Sequence, residues 1–158
     1  MSSKPIHVVG LGNTLHGDDG VGVRAVEHIR ARGEAPEGVE LIDGGTSVFD
    51  VLGALGGGGT LVVIDAVEGG GTPGTVYRIP YAEMAGEGRN GALSVHETGL
   101  LEALPLLELG GVRWEEVVLI GVEPETLAFG AGLSARVESA LPAVAAAVER
   151  EVRGARAD

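Results

Sequence analysis

Apolar positions recur along this chain in two alternating rhythms. Short, nearly unbroken apolar runs are separated by stretches in which apolar residues return every three or four positions. Ile6–Leu11 is such a run, suited to a strand buried on both faces. Residues 21–32 then place Ala25, Val26 and Ile29 on one helical face and end in Arg30, Arg32 and Gly33. The same logic predicts a strand over 39–42, a short helix over 47–55, a turn at 56–59 and a strongly apolar strand over 61–64. Residues 75–79 alternate and are closed by Pro80, the pattern of an edge strand. Ser94-Val95-His96-Glu97 has the form of a capping box and predicts a helix from there to about Leu109. Residues 117–122 read as another buried strand. Ser134 is placed to cap a last helix whose apolar face is Val137, Leu141, Val144, Val148 and Val152. Pro105 and Pro142 fall inside the helical patterns, where proline kinks or shortens a helix.

Strands joined by helical crossovers define an α/β fold in three layers, a twisted, mostly parallel sheet with helices on both faces. There are no internal repeats, and the glycine-rich pieces 56–59 and 69–71 read as loops. Residues 1–158 are therefore expected to form a single domain. No apolar run is long enough for a membrane span. The opening Met-Ser-Ser-Lys-Pro leads straight into a strand, without the pattern of a secretory leader, and predicts a cytoplasmic protein. The absence of cysteine excludes disulfides, thiolate metal sites and a cysteine nucleophile. A formal charge of −12 argues against a nucleic-acid partner, because phosphate contact needs a basic surface.

In sheets of this class ligands bind beyond the carboxyl ends of the strands. That rule turns a scatter of acids into a candidate site. Asp18 and Asp19 follow the first strand, Asp43 ends the second, Asp65 ends the third and Glu123 ends a later one. The first of these turns, Gly10-Leu-Gly12-Asn-Thr-Leu15, lacks the third glycine of a dinucleotide loop and offers two carboxylates where a pyrophosphate would sit. Clustered carboxylates repel unless a cation joins them, and no lysine or arginine adjoins these acids in sequence. A metal is the natural partner.

Not every acid needs a functional reading. Asp18 fits the N-cap of the first helix, Asp43 before Gly-Gly fits an Asx-type turn equally well, and Glu123 before Pro124 fits an exposed loop. Asp65 has no turn or capping pattern after it. Among the histidines, His7 and His28 read as structural or solvated, and His16 has no assigned partner. His96 falls in the first turn of its predicted helix, where the helix dipole keeps imidazole neutral and able to ligate. Asp19, Asp65 and His96 together make a two-oxygen, one-nitrogen donor set suited to zinc, nickel, manganese or iron.

These pieces resemble a known family. The motifs Gly12-Asn13-x-Leu15-x-x-Asp18-Asp19-x-x-Gly22, Asp43-Gly-Gly-Thr46, Asp65-Ala66, Ser94-x-His96-x-x-Gly99-Leu100 and Gly121-Val-x-Pro124-Glu125 occur in the order found in the hydrogenase maturation endopeptidases. The resemblance runs from Ile6 to the last helix. It implies an endopeptidase that clips a C-terminal extension from the large-subunit precursor of nickel–iron hydrogenase. It also implies that Asp19, Asp65 and His96 bind metal, and that this metal is nickel already carried by the substrate. Some members of the family have Glu where this chain has the shorter Asp19. The Asp43 loop matches a further shared motif; Asp43, or Asp18, is then the candidate general base. No organic cofactor is implied. A monomer is expected, because the partner is a large folding intermediate that must reach an open cleft.

Three other functions share parts of this pattern. One is a peptidase or amidase with a metal of its own. A second is a nickel-sensing or nickel-escort protein that binds the precursor without shortening it. A third is a peptidyl-tRNA hydrolase, whose first motif also begins Gly-Leu-Gly-Asn; the adjacent Asp pair and the acidic balance weigh against its RNA substrate.

Overall fold

A computed structural model describes residues 4–33, 35–85, 94–95 and 99–157. The strands are β1 (Ile6–Leu11), β2 (Val39–Gly45), β3 (Gly58–Glu68), β4 (Val76–Pro80), β5 (Ser94–Val95) and β6 (Trp114–Val122). The helices are α1 (Val21–Ala31), α2 (Val48–Leu55), α3 (Tyr81–Ala85), α4 (Leu100–Leu109) and α5 (Ala135–Ala157). A short 3-10 helix, Gly17–Gly20, precedes α1. The main sheet runs β2-β1-β3-β6-β4. Its first four strands are parallel, and β4 closes the edge antiparallel to β6. The predicted class, a mostly parallel sheet in a three-layer α/β fold, is the one observed.

The unbroken apolar runs are explained by alternation between two buried faces. Ile6, Val8, Val62, Ile64, Val118 and Ile120 face α1 and α5, with Val26, Val137, Val144 and Val148 across from them. Val9, Leu11, Leu61, Val63 and Leu119 face the other way, against Leu52 of α2 and Leu100, Leu104 and Leu107 of α4. Successive strand residues point to opposite faces, so a strand covered on both sides must be apolar at every position. β2, at an edge, is only partly buried and carries Glu40 and Asp43. His7 is buried on β1, where its Nδ1 accepts a hydrogen bond from Trp114 Nε1 at 3.0 Å. No helix among the described residues is long and apolar enough to cross a membrane.

Two expectations fail locally. The helix predicted from Ser94 begins instead at Leu100, with Gly99 at its N-cap in a left-handed conformation (φ 75°). Ser94 and Val95 form β5, paired antiparallel with Glu68 and Val67. The pairing of β3 with β1 ends at Ile64 and that with β6 at Ala66. The last residues of β3 thus leave backbone groups that a local capping pattern could not foresee. The prolines, in turn, do not end their helices: Pro105 lies inside α4, and Pro142 inside the 23 residues of α5.

The fold positions the acids through its switch point. The chain leaves β1 to one side through α1 and returns across the sheet through α2 to β3, so the loops after β1 and β3 part company over a crevice. α1 begins extremely close to this point. A Cβ on Gly22 would lie 2.1 Å from the Ile64 carbonyl oxygen and 2.4 Å from that of Leu11; one on Gly10 would lie 2.2 Å from the Gly22 oxygen. All these neighbours are backbone and cannot swing aside. Gly22→Ala is therefore expected to lift α1 from the sheet and to lower stability by about 3 kcal/mol, the upper end for overpacking. Urea unfolding of the variant beside the parent checks this.

Candidate functional site

Because β1, β2, β3 and β6 are parallel, their carboxyl ends share one rim. Gly10 is in register with Asp43 on one side and Ile64 on the other, and Asp65 with Gly121. The turn after β1 bends back at Gly12, where φ is +126°, a conformation that favours glycine. A side chain there would have no room: its Cβ would lie 1.9 Å from the Asp19 carbonyl oxygen and 3.6 Å from Asp65 Oδ1. The Asp19 backbone and the Asp65 carboxylate thus both pack against Gly12.

Asp65 is fully buried, and its Oδ1 accepts the N–H of Ala66 at 2.8 Å. Asp19 is half-buried on the 3-10 helix; its Oδ2 accepts the Asn13 N–H at 2.9 Å, while its own N–H donates to the His16 carbonyl at 3.0 Å. Both acids therefore border the Gly12–Asn13 turn, one fully buried and one partly exposed. Val95, the residue before His96, pairs with Val67, two positions beyond Asp65. His96 itself lies outside the described residues. Among the described residues, no group of three His, Cys, Asp or Glu side chains could hold a metal.

Asp43 is exposed, and its Oδ1 accepts the Gly45 N–H at 3.0 Å, the Asx turn that competed with a site role. It lines an open groove of about 460 Å³ with Gly12, Asn13, Thr14, Leu15 and Thr46. The Gly12 N–H donates to the Gly45 carbonyl at 2.8 Å and joins the two loops across this groove. Arg24 and Glu27 of α1, themselves paired at 3.0 Å, line it as well. A cation thus adjoins the rim, although none adjoins the acids in sequence; α1 delivers it by docking. Another groove of similar size, about 470 Å³, lies at the amino end of β6, away from the acids, beside Tyr81, Leu104 and Trp114.

Two acids were misjudged from sequence. Asp18 is not the cap of α1, whose N-cap is Gly20. Asp18 is fully buried, and its carboxylate accepts from the N–H groups of Glu125, Thr126 and Ser134 and from Ser134 Oγ. That use of its oxygens leaves it unsuited to act as a base. Glu123 is buried rather than exposed. Its Oε1 accepts from Tyr77 Oη at 2.6 Å and from the N–H groups of Gly69 and Gly71 at 2.8 and 3.0 Å. Neither role has a local signal, because every one of these partners lies more than forty residues away in sequence. Ser134 does cap α5 as predicted, weakly, through its Oγ to the Val137 N–H at 3.4 Å.

Burial pushes the Glu123 carboxyl upward, but the hydrogen bonds from Tyr77 and the glycine loop outweigh it and hold the group below its ordinary value. Burial and the adjacent carboxylate push the Tyr77 phenol up.

A doubly wound α/β protein with carboxylates from two strand-end loops at its switch-point crevice is the class these features define. Comparison with known proteins narrows it. The family model for hydrogenase maturation protease matches residues 23–151. The hydrogenase expression/formation protein HoxM of Azotobacter vinelandii is 37% identical over 151 residues, covering 94% of this chain and 73% of the relative. The hydrogenase 2 maturation protease of Escherichia coli K12 is 36% identical over 135 residues, 85% of this chain and 82% of that protein. Among solved structures, the E. coli hydrogenase maturating endopeptidase HybD superposes with a TM-score of 0.77 at 30% identity, covering 95% of this chain and 93% of its own. The chain belongs to the hydrogenase maturation protease family.

The Glu123 anchor generates a pH prediction. A carboxyl depressed in the folded state stabilises it above the unfolded value of about 4.3, and this contribution is lost as pH falls through the lower folded value. Glu123→Gln should therefore lower stability at neutral pH by about 1–3 kcal/mol and flatten the loss of stability below about pH 4.3. Urea midpoints between pH 3 and 7 for the two proteins report both effects.

Proposed function

We propose that this protein is the endopeptidase that removes the C-terminal extension of a nickel–iron hydrogenase large-subunit precursor in the cytoplasm after nickel insertion. Asp19, Asp65 and His96 engage the nickel that the precursor carries. The observation that supports this reading most directly is that the Asp19 carboxylate is held by the Asn13 N–H while Asp65 packs against the adjoining Gly12, both at the switch-point crevice of a chain from this family. Two hard oxygen donors with one imidazole leave positions on the metal for ligands from the precursor itself. Engaging the nickel makes cleavage conditional on a loaded active site and fixes the peptide beyond it in the groove. Fixing the reacting groups in this way accounts for a large part of a hydrolytic rate enhancement.

Asp43 is the candidate base. It is exposed in the groove that Gly12 and Asn13 also line, whereas the oxygens of Asp18 are taken up by three N–H groups and the Ser134 hydroxyl. Asp43 takes a proton from water as the water attacks the scissile carbonyl; the proton then passes to the leaving amine as the C–N bond breaks. No thiol is present in the chain, and the donor set has no serine–histidine pair, so attack by water is preferred to an acyl-enzyme. The protease is aspartic in that carboxylates do the work. It is expected to act as a monomer.

Asp65→Asn and His96→Ala should each fold and each lose processing of nickel-loaded precursor by about 10²-fold or more. Asp43→Asn should lose about 10²–10⁴-fold in cleavage while still binding the loaded precursor. Intact-mass measurement of precursor incubated with and without nickel checks all three. Normal processing by the Asp65 or His96 variant, or efficient cleavage of nickel-free precursor, would overturn the reading. Precursor bound but never shortened by the parent protein would instead make it an escort.

A further inference from the structure

Asp18 is a buried carboxylate for which the proposed chemistry has no use. It adjoins Asp19 in the 3-10 helix Gly17–Gly20, yet all of its side-chain partners lie in the segment that follows β6. Oδ2 accepts from Glu125 N at 2.8 Å, Thr126 N at 3.1 Å and Ser134 Oγ at 2.8 Å, and Oδ1 accepts from Ser134 N at 2.7 Å. The backbone reinforces the joint. The Asp18 N–H donates to the Thr126 carbonyl at 2.8 Å and the Gly130 N–H to that of Leu15 at 2.7 Å. A Cβ on Gly17 would stand 2.6 Å from the Thr126 oxygen. The rings of His16 and Phe129 meet edge to face at 5.6 Å.

Burial of a carboxylate is unfavourable unless its oxygens are satisfied, so this position demands four donors and nothing else. An amide would offer one oxygen and turn an NH2 group toward N–H donors. The charge is therefore matched to a joint between two loops, and one of those loops carries Asp19. The next residue after Asp18 must deliver its own carboxylate to the Asn13 N–H, next to the Gly12 that Asp65 packs against. Any rotation of the 3-10 helix would carry the Asp19 carboxylate away from the Asn13 N–H.

We propose that Asp18 is the positioning residue for Asp19: by clamping residues 125–134 onto the 3-10 helix it fixes the direction in which Asp19 meets the substrate's nickel. This rests on the reading that Asp19 engages that metal. Groups that orient a metal-binding side chain commonly change metal affinity by about 10–100-fold when removed.

The test compares the affinity of the full chain for nickel-loaded and nickel-free precursor, measured by calorimetry below the melting temperature of every variant. The quantity of interest is the ratio of the two affinities, which isolates contact with the metal from the rest of the interface. The parent should favour loaded precursor, and Asp19→Asn should abolish the preference. Asp18→Asn should shrink the preference about tenfold or more while leaving the affinity for nickel-free precursor unchanged. Ser134→Ala, which removes one donor of four, should shrink it by less and decides the matter if Asp18→Asn fails to fold. Glu123→Gln, which loosens a different buried carboxylate anchor, should leave the ratio unchanged. A full preference in Asp19→Asn would overturn the reading of the site, and this inference with it. Loss in Asp19→Asn with full preference in both Asp18→Asn and Ser134→Ala would overturn the positioning role alone. So would an equal loss of affinity for the two precursors, or a loss of preference in Glu123→Gln.

Discussion

The contact on which the rest of this structure depends is backbone against backbone, at the point where α1 starts. Gly22 lies on the carbonyls of Leu11 and Ile64, and Gly10 lies beneath Gly22. No side chain fits between the helix and strands β1 and β3. This approach places the preceding 3-10 helix directly over the crevice between those strands. It also sends the chain through Gly12 in a conformation that suits glycine. The acids of that helix are aimed by the docking of α1.

Adjacent acids consequently take opposite roles. One turn of 3-10 helix points Asp18 inward to the segment after β6, and Asp19 toward Asn13 and the crevice. The buried member satisfies its charge with four donors from one distant loop. Its neighbour stays half-buried against the Asn13 N–H. Glu123 repeats the buried role at the end of β6, where it gathers the Gly69–Gly71 loop and Tyr77. The rim is therefore built from two sorts of carboxylate, those that tie loops together and those left facing the crevice.

Much of the framework was legible in residue order. β1, β4 and α1 follow their predicted bounds within a residue, and β2, β3 and β6 were found but ran longer, because pairing extends each one past its apolar core. That Asp19, Asp43 and Asp65 fall on one rim was legible too, since parallel strands must deliver their carboxyl ends to the same side. The capping box at Ser94 was misread because a local pattern competed with the unpaired end of β3, and the long-range backbone pairing prevailed. Asp18 and Glu123 were misread for a related reason. A carboxylate before a helix or a proline carries the same local pattern whether water or a buried cluster of N–H groups receives it.

By itself, the sequence determined the class of fold, through apolar runs that suit only strands covered on both faces, and the acids that reach the carboxyl rim. Its motifs also pointed to the family before any contact was known. Only the tertiary structure decided that Asp18 and Glu123 are buried, because that depends on donors brought from more than forty and, for Asp18, more than a hundred residues away. The arrival of Arg24 in the Asp43 groove was decided in the same way. Local sequence sets backbone preference and the alternation of faces; the partners of a buried charge exist only once the chain has closed around it.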